Sequence, residues 1–318
     1  MPNTLRFGNW IAASWDRSEP GLHLVLGITE WIYRGTSPFQ EIVIARVEGL
    51  GLGLFLDATV QAVEADEFIY HEHLVLPALL YHPAPRHVLI LGGGDGLALR
   101  EALRDPRVEQ VVMVELDGQV VEACREHLAD LHRGSFDDPR AHIVIGDARH
   151  YLKDASERFD VVLVDLVDPY GVEGMALYRE VIQGVRRVMV PGAIVTTHGE
   201  GVDPPLHLAL RVYALLAEQF RYVELHRQAI TTFAGDWGFI LASNEVDFRQ
   251  VPTATLKARA QQLSGPLKSL ILDRFPVAFQ WPLYLTEALH RIQETRAYIP
   301  EGETAGAVWL YPNSESGE

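Results

Sequence analysis

The sequence predicts an α/β fold, with a small N-terminal β-domain, a doubly wound and mostly parallel sheet, and a helical C-terminal segment. Three patterns support this prediction. Apolar segments of strand length alternate with amphipathic helical patterns through the middle of the chain, which is typical of sheets whose strands are joined by helices. The first part of the chain instead shows short β segments between Gly, Pro and Ser residues. The last part has helical periodicity.

These patterns divide the chain into an N-terminal β-strand domain over residues 1–75, a catalytic domain over residues 76–246 and a C-terminal helical extension over residues 247–318. The strands expected in the first domain are residues 22–27, 41–47 and 52–56. Those expected in the central sheet are residues 87–91, 110–115, 141–145, 161–165, 193–197 and 238–242. The best candidates for C-terminal helices are residues 257–263 and 283–296.

Composition excludes several classes of protein. The 318 residues carry a formal net charge of −16 and show no basic face, so no nucleic-acid partner is expected. No apolar run approaches the ~18 residues of a membrane span, and residues 1–10 lack the pattern of a signal peptide, so we expect no membrane association and a cytoplasmic location. Cys124 is the only cysteine, which excludes an intramolecular disulfide and a zinc site of cysteines.

A glycine-rich turn follows the first strand of the central sheet and precedes a helix. Residues 92–96 read Gly-Gly-Gly-Asp-Gly, and glycines such as Gly92 and Gly94 let the backbone bend sharply and approach a ligand closely. Asp95 lies within this turn. Its carboxylate would attract an ammonium group and repel a ligand carboxylate, which favours decarboxylated S-adenosylmethionine over S-adenosylmethionine. Helix capping by Asp95 is the alternative.

Acidic residues also end the next two strands. Glu115 follows the glycine turn by about 20 residues, where a carboxylate can accept both ribose hydroxyls of a nucleoside. Asp147 lies beyond the third strand, followed by Ala148, where it can meet an adenine amino group. Together with the glycine turn, these positions indicate a pocket for an adenosyl sulfonium donor. The alternative is that Glu115 and Asp147 only cap helices.

The fourth strand ends in Asp165, and Asp168 follows in a turn with Pro169. An amine must lose a proton before its lone pair attacks the carbon beside a sulfonium. We expect Asp165 to take that proton as a general base, and Asp168 to hold a cationic group of the acceptor. The alternatives are a structural or helix-capping role for Asp165 and an ordinary turn at Asp168.

These segments resemble the spermidine-synthase (polyamine aminopropyltransferase) family in an order that extends through most of the chain. Residues 66–72 reproduce the family's Asp-Glu-x-x-Tyr-His-Glu, and residues 56–61 resemble its Leu-Asp-Gly-x-x-Gln. The other matching segments are residues 37–40, 82–83, 92–96, 114–117, 138–140 and 165–169, with Glu101 between them. A glycine turn alone is weak evidence, whereas this ordered set is highly specific.

The resemblance implies a Rossmann-like fold of the class I methyltransferase type and a homodimer or homotetramer. It implies transfer of an aminopropyl group from decarboxylated S-adenosylmethionine to a polyamine, with no tightly bound cofactor and no metal. The donor would be bound by Gln40, Gly92, Gly94, Asp95, Glu115, Asp147 and Ala148, with Gln61, Tyr70 and His71 beside it as substrate-binding residues. Residues 168–177 would form a gating loop.

The departures from the family pattern fall on the acceptor side. His198 stands where many relatives carry glutamine or asparagine, although Glu200 still matches some of them. The segment that includes Asp236 and Trp237 is more similar to the thermospermine-synthase and agmatine-using branch. We therefore expect the substrate-binding residues on this side to include His198, Glu200, Asp236 and Trp237. The acceptor need not be putrescine, and agmatine, spermidine and longer amines are all open.

Three other interpretations of the sequence compete with the aminopropyltransferase hypothesis. A small-molecule methyltransferase that uses S-adenosylmethionine shares the sheet and the glycine turn, but it does not account for Asp95 or for the pair Asp165 and Asp168. A non-catalytic nucleoside-binding homologue would retain the pocket without turnover. A metal site at His71 and His73 is disfavoured, because alternate residues of a helix point to different faces.

Overall fold

The chain forms two sheets, one from the N-terminal β segments and one from the strands that alternate with helices. The computed structural model describes residues 5–7, 10–14, 23–169, 171–202, 207–275 and 277–295. The first sheet is antiparallel and contains β1 (Leu5–Phe7), β2 (Trp10–Ser14), β3 (His23–Thr36), β4 (Glu41–Val47), β5 (Gly51–Leu56) and β6 (Thr59–Val63), in that order. Each of its strands pairs with the next one in the sequence, so it is a meander.

Helices are interspersed with the strands of the second sheet. They are α1 (Glu67–Tyr81), β7 (His87–Gly92), α2 (Leu97–Leu103), β8 (Gln110–Glu115), α3 (Gly118–His127), α4 (Ala129–His132), β9 (Ala141–Ile145), α5 (Ala148–Asp154), β10 (Phe159–Asp165), α6 (Gly171–Val188), β11 (Met189–Gly201), α7 (His207–Gln219), β12 (Tyr222–Ile230) and β13 (Gly235–Ser243). Two further helices, α8 (Thr253–Ala260) and α9 (Leu283–Thr295), follow. None of the helices in these described ranges is long and apolar enough to cross a membrane.

The second sheet has the order β12-β13-β11-β10-β7-β8-β9. Strands β11, β10, β7, β8 and β9 are parallel, and β13 runs antiparallel to both β11 and β12. The chain builds outward from β7 in both directions, so the order reverses between β7 and β10. In doubly wound sheets, ligands bind outside the carboxyl ends of the strands at this reversal.

Alternation of apolar side chains along each strand supplies a core on both faces of the sheet. In β7, Val88 and Ile90 are buried with α1, α2 and α8, whereas Leu89 and Leu91 are buried with α6, α7 and α9 on the other face. A strand covered on both faces reads as a continuous apolar run rather than an alternating one. The predicted α/β class and mostly parallel sheet are therefore confirmed.

Helix α1 joins the two sheets, and its residues are buried along almost its whole length. Its Glu72 carboxylate accepts hydrogen bonds from the backbone N–H groups of Ser269 (2.7 Å) and Leu270 (3.1 Å), which ties the C-terminal extension to this helix. The domain boundary expected at residue 75 lies inside α1. The division of the chain into three units stays a prediction.

Several local predictions differ from the structure. Strand β3 extends to Thr36 because bulges near Ile28 and Trp31 let it continue pairing with β4. Strands β1, β2, β6 and β12 were not predicted. Helix α8 begins at Thr253 rather than residue 257, directly after Pro252, where a helix start is favourable. The segment expected as a gating loop is helical from Gly171 onward.

Candidate active site

A cavity of about 410 Å³ lies at the carboxyl ends of β7, β8 and β10, at the reversal of strand order. The predicted site residues among its walls are Gln40, Gln61, Tyr70, His71, Gly92, Gly94, Asp95, Glu115, Asp147, Ala148, Asp165, Asp168, His198 and Trp237. The first sheet contributes to the same cavity through Leu54, Leu56 and Val60. Residues from both sheets therefore enclose one site.

Two glycines of the turn lie so close to neighbouring residues that a side chain would not fit. Gly92 has φ +88°, and a Cβ atom there would lie 2.0 Å from the backbone carbonyl oxygen of Asp165. A Cβ atom on Gly94 would lie 2.8 Å from Cγ of Glu115. Only glycine combines this backbone conformation with this proximity. The turn thereby brings the ends of β7, β8 and β10 together around the cavity.

Two backbone N–H groups hold the carboxylate of Glu115 in position. The N–H of Gly94 donates to its Oε2 atom at 3.1 Å, and the N–H of Asp117 donates to its Oε1 atom at 2.9 Å. Burial raises the pKa of Glu115 to about 7 despite these two hydrogen bonds, and the charges of Asp117 and Asp95 act in the same direction as burial. The ionised form of Glu115 can accept further hydrogen bonds, for example from hydroxyl groups, and such donors would favour that form.

Asp147 serves as the N-cap of α5, because its carboxylate accepts a hydrogen bond from the N–H of Arg149 at 2.8 Å. Its pairing with the Arg149 side chain is the main cause that lowers the pKa of Asp147. The capping role considered for Asp147 is therefore real, and the residue also lines the cavity. Glu115, in contrast, caps no helix: the N-cap of α3 is Asp117.

Asp117 is a structural residue of the site that the sequence reasoning did not assign. Its Oδ2 atom accepts hydrogen bonds from Oγ of Ser37 at 2.5 Å and from Nε2 of Gln40 at 3.0 Å. These bonds join the first sheet to the end of β8. The side-chain amide of Gln40 is thus held against Asp117. The segment 114–117 contained the signal, but the partners are about 80 positions away in the sequence.

His71 and Asp95 form the part of the cavity between the glycine turn and α1. Oδ1 of Asp95 accepts a hydrogen bond from the N–H of Leu97 at 2.9 Å, and Nε2 of His71 lies 3.7 Å from Oδ2. Burial alone would lower the pKa of His71, but Asp95 and Glu67 outweigh it and raise that pKa to about 10. The two carboxylates thus favour the imidazolium form of His71 at neutral pH.

Asp165 receives a short hydrogen bond from Tyr70, whose hydroxyl lies 2.6 Å from Oδ1. Burial raises the pKa of Asp165, and the negative charge of Asp95 adds to this effect. The charges of His71 and His198 and the hydrogen bond from Tyr70 act in the opposite direction. Asp168 follows at the same edge of the cavity.

An aromatic wall, formed by Tyr70, His198, Phe233 and Trp237, closes the cavity beside Asp165. The ring of Phe233 lies 4.9 Å from that of Trp237 and 5.6 Å from that of Tyr70, and the His198 and Trp237 rings stack with an interplanar angle of 17°. Nε2 of His198 lies 2.9 Å from both the Tyr178 hydroxyl and the carbonyl oxygen of Leu166. Sequence reasoning missed Tyr178, which is one residue of a long helix and carries no motif.

Gln61 lines the cavity, and its side-chain amide donates to the carbonyl oxygen of Thr59 at 3.3 Å. One predicted substrate-binding residue, Asp236, is not brought into the cavity. The Asp236 carboxylate forms an ion pair with Arg227. The side chain of Glu200 lies outside the part of the chain that the structure describes. Among the described residues, no cluster of three or more His, Cys, Asp or Glu side chains is placed to hold a metal ion.

Comparison with known proteins identifies the family. The model of the spermine/spermidine synthase domain matches residues 67–250, which is more than half of the chain. The chain belongs to the spermine/spermidine synthase family. The match begins at the start of α1 and extends beyond β13, so it covers the whole second sheet and the residues by which that sheet lines the cavity.

Individual relatives agree with this assignment. A polyamine aminopropyltransferase of Aeropyrum pernix is 44% identical over 225 residues, which cover 70% of this chain and 72% of that relative. The spermidine synthase of Thermotoga maritima has a similar structure, with a TM-score of 0.79, 28% identity, and coverage of 90% of this chain and 95% of that one. A spermidine synthase in complex with the transition state analogue AdoDATO matches with a TM-score of 0.81 and 29% identity over 90% of this chain and 96% of that one.

The predicted family and the Rossmann-like fold are confirmed by these matches. Membership in the spermine/spermidine synthase family supports neither of the two alternatives considered from the sequence, the methyltransferase and the non-catalytic nucleoside-binding homologue. The roles of the individual site residues stay predictions.

Proposed function

We propose that this aminopropyltransferase takes decarboxylated S-adenosylmethionine as its donor and a polyamine as its acceptor, and that it releases methylthioadenosine and a proton. The observation that carries the proposal is a row of acidic side chains along one cavity. Asp165 and Glu115 are the last residues of β10 and β8, and Asp95 and Asp147 follow shortly after β7 and β9. In the sheet these strands are consecutive, in the order β10-β7-β8-β9. Neighbouring strands lie about 4.8 Å apart, so the row suits an extended nucleoside with a cationic tail.

The donor is proposed to lie along this row with its adenine at Asp147 and its ribose at Glu115. Its ammonium group then meets Asp95, whose Oδ1 atom is held by the N–H of Leu97. An ordinary S-adenosylmethionine molecule would bring a carboxylate to the same place. Contact between this carboxylate and that of Asp95 would cost on the order of 2 kcal/mol or more, because both are negatively charged. The decarboxylated donor is therefore preferred.

Asp165 is proposed to act as the general base. The amine nitrogen of the acceptor attacks the aminopropyl carbon that is bonded to the sulfonium. The carbon–sulfur bond breaks, and its electron pair stays on sulfur to give the neutral thioether methylthioadenosine. The proton lost by the amine passes to Asp165. Burial raises the pKa of Asp165 and so makes it a stronger base than an exposed carboxylate.

The acceptor is proposed to lie between Asp168 and the aromatic wall. Aromatic faces attract ammonium and guanidinium groups, and a carboxylate at the other side anchors a second positive charge. His198, the departure from the family pattern noted in the sequence, belongs to this wall. The wall accounts for recognition of a cationic amine without selecting putrescine, so agmatine, spermidine and longer amines are candidate acceptors.

The first experiment is a product assay by mass spectrometry. The purified protein is supplied with decarboxylated S-adenosylmethionine and, in parallel reactions, with putrescine, agmatine, spermidine or 1,3-diaminopropane. Methylthioadenosine together with an aminopropylated amine is the expected result, and it names the acceptor. Absence of methylthioadenosine in every reaction would overturn the proposal, and turnover with ordinary S-adenosylmethionine alone would overturn the choice of donor.

A second experiment addresses the base. Asp165→Asn should lower kcat by roughly 10²–10⁴-fold, because proton transfer by a positioned side chain contributes about this much. Binding of the donor should stay nearly unchanged in a calorimetric titration, since Asp165 lies at the acceptor end of the row. Unchanged turnover would exclude Asp165 as the base. Parallel loss of donor binding would indicate a structural role instead.

The homodimeric or homotetrameric assembly and the cytoplasmic location expected from the sequence stay predictions.

A further inference from the structure

His71 is placed between hydrogen-bond acceptors on both sides of its ring. Nδ1 lies 2.7 Å from the carbonyl oxygen of Glu67 and 3.2 Å from its carboxylate, while Nε2 faces the Asp95 carboxylate at 3.7 Å. Carbonyl and carboxylate oxygens only accept hydrogen bonds. Nδ1 must therefore carry a proton. The two carboxylates that flank the ring, Glu67 at Nδ1 and Asp95 at ion-pair distance from Nε2, favour a second proton on Nε2 because an opposite charge stabilises the imidazolium.

Glu67 is itself held in one position by Arg100. The two guanidinium NH groups of Arg100 donate to the two carboxylate oxygens of Glu67 at 2.8 and 2.9 Å, which is the bidentate arrangement. Arg100 also donates to the carbonyl oxygen of Leu131 at 2.8 Å and to Glu101 at 3.0 Å. The Glu67 side chain is only 4% exposed, so water does not replace these contacts.

We propose that Glu67, held by Arg100, is a positioning residue that keeps His71 doubly protonated and directed at Asp95. In this way it sets the charge at the tail end of the donor site. The inference rests on the proposed function, because it assigns Asp95 to the donor ammonium. Neither Glu67 nor Arg100 lines the cavity, so they act through His71 rather than on the substrates.

The charge balance of the cavity explains why such a residue is needed. The groups that face His71 from the elements around it are Glu67 on α1, Asp95 in the glycine turn, and Asp165 at the end of β10. Asp165 is faced in turn by Asp95, Tyr70, His198 and His71. Without the imidazolium, Asp95 and Asp165 would be two close carboxylates with less compensation. One of them would take up a proton more readily, and it could then no longer serve as ammonium ligand or base.

The direct test is a titration of the His71 ring by NMR in protein labelled with ¹⁵N-histidine, assigned with the His71→Gln variant. In the wild-type protein both ring nitrogens should show the protonated chemical shift at pH 8. Glu67→Gln keeps the shape of the side chain but removes its charge. The titration midpoint of the His71 ring should fall by about 1 pH unit or more in this variant, since a neighbouring opposite charge shifts a pKa by about 1–3 units. A neutral His71 in the wild-type protein at pH 8 would overturn the proposal, whatever the variants do.

Glu101→Gln is the matched control. Glu101 is as buried as Glu67, with a 4% exposed side chain, and it pairs with the same Arg100, but it does not contact His71. The titration midpoint of His71 should be unchanged in this variant, and Glu67→Asp should restore most of the wild-type midpoint. Equal shifts in Glu67→Gln and Glu101→Gln would mean that general disturbance of the ion pairs, not the position of Glu67, is responsible.

Kinetics provide a second readout. The acid limb of kcat/KM should move to higher pH by about 1 unit in Glu67→Gln, because loss of the nearby cation raises the pKa of Asp165, and activity should recover at higher pH. A merely structural defect would lower the rate at every pH. The NMR titration does not require turnover, so failure of the proposed reaction and failure of this inference are separate results.

Discussion

Lowering the pH from 8 to 6 should weaken the binding of methylthioadenosine about tenfold, because Glu115 takes up a proton over this range. Burial raises the pKa of Glu115 in the free protein to about 7. In the proposed binding mode, two ribose hydroxyls donate to its carboxylate and so favour the ionised form. If they return that pKa to about 5, binding is linked to release of about 0.8 proton at pH 6, about 0.5 at pH 7 and about 0.1 at pH 8.

Methylthioadenosine suits this measurement because it is neutral and lacks the ammonium group that Asp95 is proposed to bind. Asp147, the other acid of the proposed nucleoside site, has a lowered pKa through its pairing with Arg149, so it stays ionised over this range. Isothermal titration calorimetry in buffers of different ionisation enthalpy gives both the affinity and the number of protons released.

The variant Glu115→Gln should bind more weakly and should release no proton, which separates Glu115 from any other titrating group. An affinity that is flat between pH 6 and 8, with no dependence of the heat on the buffer, would refute the reasoning. That result would mean that the backbone N–H groups of Gly94 and Asp117 outweigh burial and keep Glu115 ionised before the ligand arrives.

Three further predictions concern the walls of the site and the core beneath it. Gly92→Ala places a methyl group 2.0 Å from a backbone carbonyl oxygen of β10, so it should destabilise the protein by more than about 2 kcal/mol in denaturant unfolding. Gly134→Ala has a similar positive φ but open space around it, so it should lose only about 1 kcal/mol; equal losses would exclude the clash as the cause. Tyr70→Phe removes the 2.6 Å hydrogen bond to the proposed base. The apparent pKa on the acid side of the kcat/KM profile should therefore rise by about 1 pH unit, and an unchanged value would contradict this prediction. His73 and His226 are buried side by side, and burial lowers the pKa of His73 to about 4 and that of His226 well below its usual range. Unfolded histidines take up protons near pH 6.5. The free energy of unfolding should therefore fall as the pH drops from about 6.5 towards 4, by up to about 3 kcal/mol for His73. A free energy of unfolding that is constant over this range would be evidence against this prediction.

Local sequence patterns were enough to predict the fold class and most of the catalytic cavity. Buried parallel strands read as apolar runs, and their carboxyl ends lie at one edge by the rules of doubly wound sheets. The acidic residues that follow β7, β8, β9 and β10 could therefore be assigned to one site before any distance was known. The glycine turn was equally readable, because its backbone conformation depends on residue type.

The pairings between distant segments could not be read in this way. Asp117 meets Ser37 and Gln40, and Glu67 meets Arg100, through contacts that arise only when the two sheets and α1 pack together. The ion pair of Asp236 with Arg227 is more local. It joins neighbouring antiparallel strands on the diagonal, since Asp236 lies opposite Ala229, and it depends on the register of β12 and β13.

Protonation states belong to the tertiary structure for the same reason. Glu115 and His71 are an ordinary carboxyl group and an ordinary imidazole in the sequence. Their pKa values are raised to about 7 and about 10 by burial in one case and by two flanking carboxylates in the other. The sequence by itself determined which residues reach the edge of the sheet. Packing decided which of them carry a charge there, because desolvation and close charges depend on neighbours that are distant along the chain.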